Sequence, residues 1–175
     1  MSDRGAAAEG NAPSFLEFYD EALPHVYGYL VRRCGPPALA EDLTAETFLA
    51  AVDAVRRPDP PPTTLPWIMG VARHKLIDHW RRQARDERRL DLMVSRVAEV
   101  PDPWDAELDA TVARRALGNL TAQHRAALTL RYLDDLPVPE VARLLGRTVD
   151  ATEALLVRAR TAFRRAYAYE EPKDA

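Results

Sequence analysis

The groups in this sequence best suited to chemistry are cations set among aromatic rings. Between Trp67 and Arg85 stand Arg73, His74, Lys75, Arg81, Arg82 and Arg85, with Trp80 interleaved. Guanidinium and ammonium groups follow phosphates, and exposed rings stack on unpaired bases, so the pattern suits a single nucleic-acid strand. A solvated basic face with both tryptophans in the core fits the same residues. A second basic set, Arg147, Arg158, Arg160, Arg164 and Arg165, can meet phosphates. Thr148, Asp150, Ala151, Thr152 and Glu153 fall beside it, at the end of a helix that would point into a major groove. Opposite in sign, Glu41, Asp42 and Glu46 lie on neighbouring helix faces, Asp42 and Glu46 one turn apart. Like charges at that spacing are mildly unfavourable unless something basic meets them. Such a cluster is either a solvated acidic face or a docking site for a basic partner.

Catalytic arrangements are not evident. His74 and Asp78 are one helical turn apart beside His79, but no third ligand completes a metal site, and His25 and His124 stand alone. There is no glycine-rich phosphate loop. The expectation is a protein with no metal, no cofactor and no catalytic residue, and not an enzyme. Cys34, the lone cysteine, cannot form an internal disulfide and reads as a buried or idle thiol in a reducing compartment.

The elements that would position these groups are all helical, with no sustained alternation to mark a half-buried strand. After Pro13 and Ser14, apolar residues from Phe15 to Val31 recur at three- and four-residue intervals up to Cys34 and Gly35, with an adjustment allowed at Pro24. Pro36 and Pro37 begin a second helix that ends before Pro58. The stretch Arg57 to Leu65, with prolines at 58, 60, 61 and 62, cannot be helical and reads as a stiff surface loop. From Thr64 a third helix carries Trp67, Ile68, Val71, Ala72, Leu76 and Trp80 into the basic stretch ending at Arg85. Residues 86–105, with Pro101 and Pro103, read as a linker. A helix from near Trp104 through Leu108, Val112 and Leu117 stops around Gly118 and Asn119, and Thr121 is placed to cap Ala122 to Leu133. A short helix, a turn at Gly146 and a longer helix then form a helix-turn-helix pattern.

The fold expected is therefore all-α: two small helical domains joined by a linker, the second containing the helix-turn-helix. The boundaries are a disordered tail at 1–12, a first domain at 13–85, the linker at 86–105, a second domain at 106–169 and a tail at 170–175. The 175 residues can be divided into two such cores. A net charge of −3 excludes a uniformly basic coat but not a local basic face. Lys75 and Lys173 are the only lysines among 24 basic residues, a skew that fits a GC-rich genome. No apolar run approaches the ~20 residues needed to span a bilayer, and residues 1–12 lack the apolar stretch of a signal peptide, so a cytoplasmic location without membrane insertion is expected.

Three ordered blocks resemble the extracytoplasmic-function group of sigma-70-type initiation factors: Ala40 to Leu49, Trp67 to Arg82, and Leu117 to Leu133 followed by the helix-turn-helix. The resemblance covers roughly Phe15 to Arg165. It implies that the first domain is sigma region two, docking on the clamp helices of the polymerase's largest subunit through Glu41, Asp42, Ala45 and Glu46. It implies that the proline loop and third helix hold a minus-10 element with a flipped base, through Asp59, Thr63, Thr64, Trp67, Arg73, His74, Lys75, Trp80, Arg81, Arg82 and Arg85. The linker would thread polymerase channels. Region four would bind the minus-35 duplex and the flap of the second-largest subunit, its DNA contacts being Arg147, Thr148, Asp150, Ala151, Thr152, Glu153, Arg158, Arg160 and Arg164. Core RNA polymerase and promoter DNA are thus the expected partners, with an anti-sigma factor as a further one.

The chain departs from the family pattern in places. Family members often carry Gln at the position of Ala45 and Asn at that of His74, and a frequent Thr-Val-Lys-Ser-Arg becomes neutral and acidic here around Glu153. Two other classes compete with an initiation factor: a helix-turn-helix regulator acting without polymerase, and an enzyme built on the His and Asp positions. Affinity for core polymerase separates the first, and tight metal binding the second.

Overall fold

A computed structural model describes residues 15–90 and 110–170 of the chain. Its order is α1 (Phe15–Cys34), α2 (Pro37–Val55), α3 (Leu65–Leu90), α4 (Ala110–Gly118), α5 (Ala122–Leu128) continued by a π-helical turn (Thr129–Leu133), α6 (Val138–Leu145) and α7 (Val149–Glu170). The described residues contain no strand. The expected tail at 1–12, the expected tail at 170–175 except Glu170, which ends α7, most of the expected linker, and the helix start near Trp104 with Leu108 lie outside them.

Local chemistry accounts for most of the boundaries. Gly35, at φ 85°, ends α1 in a conformation costly for residues with a Cβ, and Pro37 starts α2 where no amide donor is needed. Pro24 sits inside α1 on an exposed face, and the helix runs on through it. Thr64 begins α3, its hydroxyl accepting from the Trp67 amide at 3.4 Å. Thr121 caps α5 in the same way, accepting from His124. Gly146 closes α6 at φ 64°, with the Arg147 amide reaching back to the Ala142 carbonyl.

The expected linker start at 86 is overtaken by helix: α3 continues to Leu90. Two interactions favour the extra turn. Arg88 Nε donates to the Ala84 carbonyl, and the Glu87 carboxylate reaches the Ala122 amide of α5 at 3.0 and 3.2 Å. That carboxylate meets the positive end of another helix, which stabilises both.

The two helical units are α1–α3 and α4–α7, and α3 is the wall between them. Its Ile68, Ala72 and Leu76 join the core built with Phe18, Val26, Leu30, Leu43 and Phe48 of α1 and α2. Trp80 and Ala84 extend that core to Ala122 and Ala126 of α5. Ile77, one residue off the first stripe, packs instead with Leu130, Val141 and Leu144 of the second unit. Leu155, Leu156, Ala159 and Phe163 of α7 close the remaining core over α4 and α5. Burying a side chain the size of Ile77 stabilises by about 1.5–3 kcal/mol, so the contact between units rests on apolar area as well as on polar bonds.

Candidate nucleic-acid and polymerase surfaces

The cationic helix α3 is divided between solvent and the second helical unit. His74, Arg82 and Arg85 are exposed, and Lys75 is half-buried. Arg73 and Arg81 turn toward the other unit. Arg81 donates to the Leu144 carbonyl of α6. Arg73 Nε donates to Asp134 Oδ2 at 3.1 Å. Trp67 is half-buried against Phe18, 6.4 Å between ring centres. The expectation that Trp80 presents a ring for stacking is corrected here. It is 1 % exposed, because Ala84, Ala122 and Ala126 close around it, and its indole N–H is buried without a hydrogen-bond partner. Of the loop residues, Asp59 and Thr64 are exposed and Thr63 half-buried.

Asp134 is the functional-looking residue that the spacing of charges did not single out. Its carboxylate is 1 % exposed and lies beneath charged groups from α1 and α3. Arg33 donates to Oδ1 from Nη2 at 2.6 Å and from Nε at 3.0 Å; the Tyr29 hydroxyl donates to Oδ2 at 2.9 Å. Arg33 also stacks over the Tyr29 ring, 3.8 Å from its centre. Burial, then the Asp134 charge, drives the Tyr29 pKa well above that of a free phenol. The only sequence signal was an acidic pair, Asp134 and Asp135, at the end of an apolar helix.

On α2, Glu41, Asp42 and Ala45 are exposed and Glu46 is half-buried. The cluster is not wholly without a partner, since Lys75 of α3 approaches Glu46 at 3.8 Å. Two residues assigned to different surfaces are thereby brought together. Leu49, 66 % exposed one turn further on, adds an apolar residue to this face. A groove of about 460 Å³ lined by Tyr19, Leu23, Tyr27 and Phe48 runs beside Glu41 and Ala45.

On α7, Asp150 and Glu153 are exposed and Ala151 is half-buried. Thr148 accepts from the Ala151 amide at 3.2 Å and so caps the helix. Thr152 is a second correction. It is fully buried, its hydroxyl donating to the Thr148 carbonyl, because its position faces the core stripe of Leu155, Leu156 and Ala159. Among the cations, Arg158 is exposed and Arg164 half-buried, while Arg147 donates to Gln123 and Arg160 to the Tyr132 hydroxyl. Val149 and Val157, 40 % and 53 % exposed, flank Glu153 on the outer face and were not anticipated.

Other titratable groups serve the core. Arg125 is buried and donates to the carbonyls of Leu117, Gly118 and Leu120, ending α4, and its own burial lowers its pKa. Burial pushes the Cys34 thiol up to about 11, so it stays protonated near neutrality. Among the described residues no three His, Cys, Asp or Glu side chains gather as for a metal ion, and no helix is long and apolar enough to cross a membrane.

Two helical units in sequence, one with a cationic helix after a proline loop and the other with a helix-turn-helix, define a nucleic-acid-binding protein of two modules. The comparisons with known proteins agree and go further. Sigma-70 region 2 matches residues 18–86, and Sigma-70, region 4 matches residues 111–163. The ECF RNA polymerase sigma factor BldN of Streptomyces coelicolor is 30 % identical over 161 residues, which span 87 % of this chain and 60 % of BldN. SigL of Mycobacterium tuberculosis, also an ECF RNA polymerase sigma factor, is 30 % identical over 155 residues, 83 % of this chain and 84 % of SigL. A solved sigma factor, RpoE in complex with the anti-sigma factor NepR from Bartonella quintana, shares the fold at a TM-score of 0.53 and 18 % identity, over 88 % of this chain and 96 % of that one. The chain belongs to the extracytoplasmic-function group of the sigma-70 family, and its class of activity is promoter-specific initiation of transcription with RNA polymerase.

Proposed function

We propose that the chain carries out initiation through three separate surfaces. The acidic face of α2, Glu41, Asp42, Ala45 and Glu46, docks on the clamp helices of the polymerase's largest subunit. The proline loop and α3 take the minus-10 strand: Asp59, Thr63 and Thr64 in the loop, then Trp67, His74, Lys75, Arg82 and Arg85, joined by Arg73 and Arg81 once these leave their present partners. The outer face of α7, with Asp150, Ala151, Glu153, Arg158, Arg160 and Arg164, meets the minus-35 duplex together with Arg147 and Thr148 of the turn before it, and the same unit contacts the flap. The first module spans 13–85 and the second 106–169. The factor is not itself an enzyme, acts in the cytoplasm, and takes an anti-sigma factor as a further partner.

The observation that carries this reading is the segregation of charge within the first unit. Exposed Glu41 and Asp42 lie on α2, and the exposed cations Arg82 and Arg85, with His74, lie on the helix after the loop. The two faces adjoin at the Lys75–Glu46 pair, so that a protein contact and a strand contact can form side by side. The test is transcription in vitro with core polymerase on a genomic template library, comparing the parent with the Asp42→Lys, Glu46→Lys chain. Specific transcripts from the parent, and lost polymerase affinity with retained helicity in the variant, are expected. Unchanged binding by the folded variant rejects the docking face.

A further inference from the structure

Where α3 meets the helix-turn-helix there is a cavity of about 400 Å³ whose charged lining is wholly cationic. Arg81, Arg85 and Arg88 line it from α3 and Arg147 from the turn before α7, with Gln123 of α5 beside Arg147; no carboxylate is among the lining residues. Arg85 and Arg88 are exposed, and Arg81 and Arg147 are half-buried. Of the α3 carboxylates that flank these arginines, Asp86 is exposed outside the lining and Glu87 is held at the Ala122 amide, while Asp78 pairs with Arg81 at 3.6 Å.

Four guanidiniums around one volume repel one another, and one carboxylate offsets only part of that charge. Their hydrogen-bonding capacity is also far from used. Arg147 spends Nη2 on the Gln123 side chain at 2.9 Å, Arg88 spends Nε on the Ala84 carbonyl at 3.1 Å, and Arg81 spends Nη2 on the Leu144 carbonyl. A guanidinium has five N–H donors, so each keeps others to offer. A further observation is independent of charge. Trp80 lines the same cavity, and its indole N–H is buried with no hydrogen-bond partner, an arrangement that is costly unless an acceptor meets it. Several charged donors, one neutral donor and no acid suit a ligand of acceptor oxygens with concentrated negative charge. Phosphate oxygens match the planar fork of arginine best.

We propose that this cavity binds a compact polyphosphate, the di- or triphosphate of a nucleotide or the free inorganic anion, through Arg81, Arg85, Arg88 and Arg147, with the Trp80 N–H donating to one of its oxygens. The volume falls within that of small-ligand sites, which run from about 300 to about 1,000 Å³. A triphosphate brings several charges to one place, where the four cations are, whereas a strand lays its phosphates along a line. Because Arg81 and Arg85 also belong to the minus-10 set, the anion and the strand exclude each other at those two residues. That consequence alone rests on the strand role given above.

Isothermal titration calorimetry of the full chain at low salt, with sodium tripolyphosphate, ATP and GTP as probes and no divalent ion, reads the site directly. Saturable binding of a single equivalent is expected, and Arg88→Gln and Arg147→Gln should each weaken it about tenfold through loss of a charge-assisted contact. Arg89→Gln removes the same charge one residue further on, outside the cavity, and should bind as the parent does. Trp80→Phe keeps an aromatic ring without the N–H and should weaken binding severalfold; unchanged binding removes the N–H from the site. Should circular dichroism show that this core variant is unfolded, Arg88→Gln, at an exposed position, still decides. Nucleotides that bind more tightly than tripolyphosphate identify a nucleotide as the ligand, and equal or weaker binding identifies the inorganic anion. The absence of saturable binding overturns the site, and so does an equal loss in Arg89→Gln, which would mark a diffuse basic face. An oligodeoxythymidine of about 12 nucleotides that binds through Arg88 and Arg147 where tripolyphosphate does not would assign the cavity to the strand instead. Promoter opening with core polymerase tests the strand role separately: an Arg81→Gln chain as active as the parent removes the competition and leaves the anion site standing.

Discussion

Helices α3 and α7, the two proposed to meet DNA, carry six and four arginines and use them differently. On α3 the apolar residues fill both flanks: Ile68, Ala72 and Leu76 face their own unit, and Ile77, Trp80 and Ala84 face the other. Arg73 and Arg81 lie along the second flank, leaving His74, Arg82 and Arg85 to solvent. On α7 one flank is apolar and buried, and the outer one combines Asp150 and Glu153 with Val149, Val157 and Arg158. The same residue type is therefore an interdomain strut on one helix and a surface group on the other. Charge counts along a sequence do not distinguish these uses; the number of apolar flanks does.

The largest effect should come from putting a charge on the second apolar flank of α3, compared with the same charge on the outer flank of α7. Ile77 is 1 % exposed among Leu130, Val141 and Leu144, whereas Val157 is 53 % exposed. Ile77→Asp buries a carboxylate with no partner and removes packing, and should destabilise the chain by about 3 kcal/mol or more. Val157→Asp should remain within about 0.5 kcal/mol of the parent. Urea denaturation followed by circular dichroism measures both. Comparable losses for the two would break the comparison, since α7 would then have a second covered flank as well.

The order of helices was legible because proline and glycine punctuate it strongly. Pro37, Thr121 and Gly146 fix their boundaries by backbone chemistry that acts over a few residues. The exposure of Asp42 and Glu153 was legible for a similar reason, helical periodicity. The contact between units was not, because it joins residues about a hundred positions apart, as in Tyr29 and Arg33 with Asp134. The sequence leaves Trp80 open between a stacking ring among its cationic neighbours and a core residue, and the arrival of α5 makes it core. Ile77 was the available hint, an apolar residue out of register with Leu76 and Trp80 on a single stripe. Thr152 was misplaced because adjacency to Thr148 and Glu153 suggested the groove-facing end, while the helical period turns it inward.

A smaller effect sharpens the DNA side of the comparison. Arg82 and Arg85 of α3 and Arg158 of α7 are exposed, so each, if it meets a phosphate, should change the salt-dependence slope by roughly one unit when replaced by Ala, on all sequences alike. Glu153 lies between exposed valines and should act through a base edge. As an acceptor from a cytosine amino group it should contribute about 1–3 kcal/mol of discrimination at one minus-35 base pair. Glu153→Ala should flatten preference there and leave other positions unchanged. Binding by the polymerase holoenzyme to duplexes varied at each minus-35 position, at two salt concentrations, separates the two kinds of residue. Uniform tightening on every duplex would mean that Glu153 only repels phosphate, and that α7 reads no base through it.

The smallest expected effect is a dependence on pH carried by two histidines, one on α3 and one on α5 beside α7. His79 of α3 has its pKa lowered by burial first and then by Arg82 and Arg125, with Glu46 pulling the other way. His124 of α5 is lowered by burial and then by Arg158 of α7, against Glu87. In both cases folding favours the neutral imidazole. Above the unfolded value of about 6.5 neither state holds the proton and the fold bears no penalty; below it the unfolded chain binds protons that the folded chain resists, so stability falls with pH. Carboxylates titrate lower, which leaves the interval from about pH 7 to about pH 5.5 to the imidazoles. The melting temperature should fall across this interval, and less steeply in His79→Gln and in His124→Gln. Arg158→Ala should relieve only the His124 part, because its charge acts on that imidazole and not on His79. A slope unchanged in both histidine variants, or Arg158→Ala acting through His79 alone, would remove the local electrostatic distinction between the helices.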